Sequence, residues 1–192
     1  MGKRIVYGLA VAVVSAALLH GTAMAARGAD LTEYDVKAAF LYNFAKFVEW
    51  PAQAFERDGT MRLCILGEDP FGTALDRIVD SRPPQDRKLV VRRVGRIPNG
   101  HSCHILFISS SESARVDEIL DQTKGNSVLT VGDTTGYSRR GVVINLVVER
   151  NKVRFDVNLH AADQANLKIS SKLLKLASTV RGKPSQGGTL GW

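Results

Sequence analysis

The first strongly patterned segment of the chain carries apolar side chains at helical spacing. Thr32, with Asp35 three residues later, is typical of a helix start with a capping box. The apolar positions that follow are Val36, Ala39, Phe40, Phe44 and Phe47. The pattern predicts a helix that ends at Trp50 and Pro51. Its other side is also apolar, so we expect burial by the core and by a second surface, for which a homodimer contact is one candidate.

Short apolar runs alternate with helical patterns through the middle of the chain. Four runs are predicted to be strands: 61–66, 89–94, 103–109 and 127–131. Predicted helices over 71–79 and 114–120 follow the first and third of them. Asp69 is expected to cap the first of these helices, and Pro70 to lie in its first turn. Such alternation favours a mainly parallel sheet with helices on its faces.

The C-terminal part of the chain has a different pattern. Residues 142–149 and 152–159 are separated by Arg150 and Asn151, which predicts an antiparallel hairpin. One face of a predicted last helix carries Ile169, Leu173, Leu176, Ala177 and Val180. The sequence therefore predicts an α/β fold: a mainly parallel mixed sheet flanked by helices on its faces, with a C-terminal antiparallel hairpin and helix.

The first residues have the pattern of an export signal. Lys3 and Arg4 precede an apolar stretch over 5–19, and Ala-Met-Ala at 23–25 offers small residues for cleavage. The apolar stretch is shorter than the ~20 residues that a bilayer core needs, although an uncleaved anchor remains the alternative. We therefore predict that residues 1–25 are a signal peptide and that the protein is periplasmic.

The rest of the chain is predicted to form one domain over 26–181, followed by a flexible, Gly-, Pro- and Ser-rich tail over 182–192. Without the signal peptide the chain has 24 basic and 19 acidic residues, a formal charge of +5. Export argues against nucleic acid as a partner, so this charge serves an anionic membrane surface, an acidic protein or solubility alone. Arg92, Arg93 and Arg96, or the basic face of the last helix, could meet an acidic partner.

Two cysteines, Cys64 and Cys103, are present, and an even count in an exported chain favours a disulfide. Two buried thiols are the alternative. Neighbouring strands lie ~4.8 Å apart, within the reach of a disulfide. We therefore predict that the strands over 61–66 and 103–109 are adjacent, with the strand over 89–94 on the far side, as in a doubly wound sheet.

Signatures of enzymes are missing from the sequence, which has no dinucleotide-binding or phosphate-binding glycine loop, no zinc-protease helix motif and no nucleophile elbow. We expect no enzymatic activity and no cofactor. Open α/β sheets bind ligands beyond the carboxyl ends of their strands. The residues that could bind a small ligand there are Gly67, Glu68, Asp69, Ser109, Ser110 and Asp133. Ordinary turn chemistry is the alternative for all six.

A cluster of potential metal ligands occurs once. His101, Cys103 and His104, together with Cys64, offer nitrogen and sulfur donors. Their spacing matches no common zinc pattern, and oxidised cysteines are lost as thiolate ligands. We therefore predict a disulfide with surface histidines beside it, and no metal.

Several motifs together resemble the YfiR-like family of periplasmic proteins along nearly all of the chain after the signal peptide. The matching segments are 34–51 (YDVKAAFLYNFAKFVEWP), 64–72 (CILGEDPFG), 103–108 (CHILFI), 128–133 (VLTVGD), 144–146 (INL), 153–158 (VRFDVN) and 167–174 (LKISSKLL). Cys64 and Cys103 match one cysteine pair of the family. A second pair, which some members carry near the hairpin, is absent from this sequence.

The resemblance implies a regulatory binding function. The family's namesake is a dimer that represses an inner-membrane diguanylate cyclase through its periplasmic region, which lowers cyclic-di-GMP and biofilm formation. An outer-membrane lipoprotein relieves that repression. For this chain the partner is expected to be such a cyclase or another membrane sensor. A periplasmic small-ligand-binding protein that feeds a transporter or receptor is the alternative function.

Overall fold

The computed structural model describes residues 31–55, 59–81, 87–97 and 103–182. The predicted signal peptide, His101 and nearly all of the predicted tail lie outside the described residues. The helices are α1 (Glu33–Phe47), α2 (Ala74–Asp80), α3 (Val116–Thr123), α4 (Tyr137–Arg140), α5 (Leu159–Gln164) and α6 (Ser171–Leu174). The strands are β1 (Val48–Glu49), β2 (Met61–Leu66), β3 (Leu89–Val94), β4 (Ile105–Ile108), β5 (Leu129–Gly132), β6 (Ile144–Glu149), β7 (Lys152–Asn158), β8 (Lys168–Ile169) and β9 (Thr179–Arg181).

Seven of the described strands form one sheet, in the order β3-β2-β4-β5-β6-β7-β9. The five strands from β3 to β6 are mutually parallel, β7 is antiparallel to β6, and β9 is parallel to β7. Strands β1 and β8 form a separate antiparallel pair. The predicted fold class is confirmed, as is the position of β2 between β3 and β4.

The hairpin of β6 and β7 turns where the sequence predicted it. Arg150 and Asn151 have φ angles of 49° and 61°. Two consecutive positive φ angles define a type I′ turn, whose twist matches that of the two flanking strands. The turn sets the register, in which Glu149 pairs with Lys152 and Leu146 with Phe155.

Helix α1 begins with the predicted capping box. Thr32 Oγ1 accepts a hydrogen bond from the Asp35 backbone N–H, and Asp35 in turn accepts one from the Thr32 N–H. The helix packs on one face of the sheet, where Phe40 and Phe44 both contact the ring of Phe155. Helices α2 and α6 of the same chain also contact it, so part of its second apolar side is covered within the chain. A homodimer contact through α1 stays a prediction.

The predicted last helix is wrong as a continuous element. Ser170 caps α6, which ends after four residues, and the chain then forms strand β9. Ser178 N–H donates to Phe155 O at 2.8 Å, and the register pairs Val157 with Val180. Strand formation here satisfies backbone groups of β7 that a helix would leave without partners. Residues at helical spacing, Leu176 and Val180 among them, are consequently exposed.

The role predicted for Asp69 is also wrong. Its Oδ1 accepts a hydrogen bond from Phe71 N–H at 2.7 Å, which closes a turn before any helix begins. Helix α2 starts only at Ala74, after Thr73, so Pro70 lies outside its first turn. Asp side chains form such local turns as readily as they cap helices, and sequence alone does not separate the two.

Candidate functional site

The loops after β2 and β4 meet at the carboxyl edge of the sheet, where ligand-binding residues were predicted. Ser111 Oγ accepts a hydrogen bond from Glu68 N–H at 3.0 Å. Gly67 has a φ of 88°, and a Cβ placed on it would collide with Ser111 Oγ and lie 2.8 Å from Glu112 Cγ. Glycine is required here by both conformation and space. The two loops therefore close against each other at this point.

Asp69 lies apart from that contact and forms an ion pair. Its Oδ2 accepts a hydrogen bond from Arg93 Nε at 2.7 Å. The same guanidinium donates to Asp76 and, at 2.8 Å, to the Gly72 carbonyl oxygen. The hydrogen bonds from Arg93 hold the pKa of Asp76 below its usual value. Arg93, which the sequence suggested for an acidic partner, instead joins β3 to the segment after β2.

Asp133, after β5, has an almost completely enclosed side chain. Its Oδ2 accepts hydrogen bonds from Lys37 Nζ at 2.7 Å and from Tyr34 OH at 3.0 Å. The side chains of Lys37 and Asp133 are only 4% and 5% exposed, and Lys37 also pairs with Glu33 one turn earlier in α1. This network ties the start of α1 to the carboxyl end of the sheet.

Burial and hydrogen bonding have opposite effects on the pKa of Lys37 in this network. Burial tends to lower the pKa of Lys37, but the hydrogen bonds to Asp133 and Glu33 outweigh it, so the pKa of Lys37 is raised. Burial, reinforced by the negative charge of Asp133, raises the pKa of Tyr34. Lys37 is therefore a fixed cation and Tyr34 a fixed hydrogen-bond donor at neutral pH.

The two predicted serines differ in their surroundings. Ser109 is buried; its N–H donates to Leu66 O at 3.1 Å, and its carbonyl oxygen accepts from Tyr137 OH at 3.5 Å. Ser110 is exposed at the start of a 3₁₀ turn. The six predicted residues thus fall into separate structural contacts around one edge, and a ligand-binding role for them stays a prediction.

Cys64 and Cys103 form a disulfide with a Cα–Cα distance of 5.8 Å, and both residues are buried. His104, next in the chain, is 2% exposed rather than a surface histidine. Its Nδ1 accepts from Arg62 N–H at 3.0 Å, so Nε2 carries the hydrogen that it donates to Ala54 O at 2.9 Å. Within the described part of the chain, no group of three or more His, Cys, Asp or Glu side chains could hold a metal ion.

An aromatic stack, which the sequence pattern did not predict, surrounds His104 at the amino edge of the sheet. The ring of Phe55 lies parallel to the imidazole of His104, with 4.5 Å between the ring centroids. The guanidinium carbon of Arg87 lies 3.9 Å from the centroid of the Phe55 ring. Trp50 packs edge-on against Phe55 and donates from Nε1 to His104 O. The sequence shows only that these aromatic residues lie outside the predicted strands, which does not indicate which of them pack against each other.

The described residues line three depressions away from the carboxyl edge. The first, about 550 Å³, is amphiphilic, with Tyr42, Trp50, Phe55 and Met61 beside Lys46 and Arg87. A second, about 510 Å³, lies between α3 and α5. A third, about 480 Å³, borders the disulfide at Cys103 and His104. All three are open grooves on the scale of ligand or peptide sites.

Solved structures share the fold at low sequence identity. A conserved domain protein from Vibrio cholerae O1 biovar El Tor is 12% identical with a TM-score of 0.51, over 79% of this chain and 61% of that chain. The ABC domain of Streptococcus pneumoniae, solved in complex with L-Trp, is 7% identical with a TM-score of 0.51, over 77% and 60%. This chain thus spans about 60% of the length of each. At these identities the likeness extends to the fold alone.

The fold defines an α/β protein in which three of the predicted ligand residues, Gly67, Asp69 and Asp133, take part in contacts within the chain. The sequence profile of the YfiR/HmsC-like family matches residues 34–178, and the chain belongs to this family. The family is one of periplasmic regulators rather than catalysts. Among the described residues, no helix is long and apolar enough to cross a membrane.

Proposed function

We propose that the protein represses an inner-membrane sensor enzyme, a diguanylate cyclase in the first instance, by binding the sensor's periplasmic domain. Repression would lower cyclic-di-GMP and biofilm formation, and an outer-membrane lipoprotein would relieve it. The observation that carries this proposal is the family match over residues 34–178. The choice of a cyclase as the target rests on the resemblance to the family's namesake.

The closed carboxyl edge supports a protein partner over a small ligand. In open α/β sheets this edge is the usual ligand cleft. Here Ser111 fills the space over Gly67. Asp69 forms an ion pair with Arg93, and Asp133 forms one with Lys37. A ligand that bound Gly67, Asp69 or Asp133 directly would have to displace one of these contacts.

The mechanism that we propose is a shift between two states of the sensor. A regulator that binds the inactive state of the sensor more tightly than the active state moves the population by that difference in affinity. A hundredfold preference corresponds to about 2.7 kcal/mol, enough to silence a sensor that is evenly divided between its states. No chemical step on the regulator is needed.

Affinity capture tests the proposal. Tagged protein expressed with its signal sequence is crosslinked in intact cells, purified from solubilised membranes and analysed by mass spectrometry, beside an unrelated exported protein with the same tag. The expected result is specific recovery of an inner-membrane protein with a periplasmic sensor domain. Recovery of a transporter alone, or of the same proteins as the control, would contradict the proposal.

The second candidate function is a periplasmic small-ligand-binding protein that feeds a transporter or receptor. The amphiphilic groove beside Trp50 and Phe55 favours it, because aromatic and cationic side chains together suit an aromatic or anionic metabolite. The Streptococcus pneumoniae domain with a similar fold was solved with L-Trp bound. A thermal-shift screen separates the two functions, because a true ligand raises the melting temperature as its concentration rises.

A further inference from the structure

The charges of the described residues are distributed unevenly. The ion pairs within this part of the chain all join side chains between Glu33 and Arg140. Residues 141–182 contain seven lysines and arginines against three acidic residues. None of these seven cations forms an ion pair with another described residue. The last quarter of the fold therefore has an excess of uncompensated positive charge.

Six of these cations lie around one edge of the sheet, and all six are exposed. They are Arg150, Lys152, Arg154, Lys172, Lys175 and Arg181. We call this surface the basic edge. Strand β7 carries two of them, and β9, the outermost strand on this side, carries Arg181 in register with Asn158. Helix α6, which holds Lys172, leads through Lys175 into β9.

The basic edge extends along the strands rather than converging on one point. From Lys152 to Asn158, the partner of Arg181, there are six residue steps, or about 20 Å of strand. Two acidic side chains, Glu149 and Asp156, lie among the cations, which leaves a clear positive excess. The surface is a broad positive band, and none of the three depressions described above is lined by one of its cations.

Exposed apolar side chains interrupt the same band. Leu176 is 64% exposed and Val180 is 41% exposed, and both belong to the segment that links α6 to the end of β9. They are two of the four large apolar side chains that the described residues expose. Apolar residues flanked by lysine and arginine are typical of protein surfaces that enter the headgroup region of a bilayer.

We propose that the basic edge docks on an anionic phospholipid surface, with Leu176 and Val180 entering the headgroup layer. An acidic protein is the other class of partner for such charge. The spread of cations over about 20 Å favours lipid, because mobile headgroups can meet dispersed charges that a rigid partner would have to match one by one. Docking would hold the protein at the membrane independently of any sensor protein.

Vesicle co-sedimentation tests this proposal directly. The protein is purified from the periplasm of an expression host, its N-terminus is checked by mass spectrometry, and it is mixed with phosphatidylglycerol-rich or pure phosphatidylcholine vesicles. We expect binding to the anionic vesicles at low salt, little binding to phosphatidylcholine, and loss of binding as salt screens the charges. The double variant Lys172→Gln/Lys175→Gln should bind roughly thirtyfold more weakly, since each cation near an anionic membrane contributes about a fivefold factor.

A matched control separates a surface effect from net charge. The double variant Arg115→Gln/Lys124→Gln removes the same two charges from exposed, ion-paired positions outside the basic edge. It should bind like the wild type, whereas Leu176→Ser should bind more weakly at every salt concentration. Equal loss in both double variants, equal binding to both vesicles, or no binding would overturn the proposal. Capture of an acidic protein without vesicle binding would assign the basic edge to that partner instead. Unchanged circular dichroism shows that each variant is folded.

Discussion

The buried ion pair between Lys37 and Asp133 should make a large contribution to the stability of the fold, and a substitution tests it. Replacing Lys37 with methionine keeps the apolar stem but removes the cation that faces Asp133 at 2.7 Å. Breaking a buried pair by removing one partner costs about 3–5 kcal/mol, because the other charge stays buried without compensation. Tyr34 still donates to Asp133, so we expect the lower end of that range, about 3 kcal/mol at pH 7.

Asp133→Asn and the double variant Lys37→Met/Asp133→Asn complete a double-mutant cycle. Asp133→Asn should cost less, about 1–2 kcal/mol, because Lys37 keeps its pair with the half-exposed Glu33. The double variant should be more stable than the sum of the two losses predicts, with a coupling of at least about 1.5 kcal/mol. Urea unfolding followed by far-ultraviolet circular dichroism measures all four proteins.

The pH dependence of the stability difference between Lys37→Met and the wild type provides a second, independent test. In the wild type the raised pKa of Lys37 adds stability that is fully present below 10.5 and is lost as the pH rises through the folded value. The deficit of Lys37→Met should therefore shrink as the pH rises above 10.5. A deficit below about 0.5 kcal/mol at pH 7, or one that stays the same as the pH rises through that range, would refute this reasoning.

Three other predictions follow from individual contacts. Thr32→Ala removes the capping box of α1 and should lower the free energy of unfolding by about 1 kcal/mol in urea, whereas an unchanged midpoint would contradict it. Replacing Cys64 and Cys103 with alanine opens a 39-residue loop and should cost about 4 kcal/mol by calorimetry; a loss below 1 kcal/mol would show that the closed loop adds little. Arg93→Gln should be less stable than the wild type above pH 5, and the gap should narrow as the pH falls below 3.8, because the stability that the lowered pKa of Asp76 adds is lost as that carboxylate is protonated in the folded protein; a gap that stays constant as the pH falls below 3.8 would contradict it.

The central strands β2 and β4 were predictable because nearly all of their residues are buried. Residues 61–66 and 89–94 form strands with the predicted bounds, and the order of β3, β2 and β4 followed from doubly wound topology and one cysteine pair. Continuous apolar runs bounded by turn residues are strong signals of such strands. The type I′ turn at Arg150 and Asn151 was predictable from the spacing of the two runs it joins.

The C-terminal segment was less predictable because its pattern fits two structures. Ile169, Leu173 and Leu176 fall at helical spacing, yet Thr179 and Val180 are β-branched and lie beside the open edge of β7. The hydrogen-bonding needs of that edge are a tertiary effect, which no local pattern reveals.

The position of the candidate site at the carboxyl ends of the strands was predicted, but the contacts within it were not. The six ligand candidates do lie near the carboxyl ends of the strands, but sequence did not show that Lys37 would reach Asp133 across 96 residues. A lysine four residues after Glu33 in an otherwise apolar helix is the only local signal, and it is usually a sign of an exposed ion pair. Burial of that lysine depends on where β5 ends, which is a property of the whole fold.

The most direct test of the regulatory account is the cellular cyclic-di-GMP level in a strain that lacks this protein, compared with the wild type and with a strain complemented by the wild-type chain. The account predicts that cyclic-di-GMP and biofilm mass rise on deletion and return to normal on complementation. It also predicts that the rise disappears when the membrane cyclase recovered by affinity capture is deleted as well. An unchanged cyclic-di-GMP level in the single deletion would contradict repression of a diguanylate cyclase.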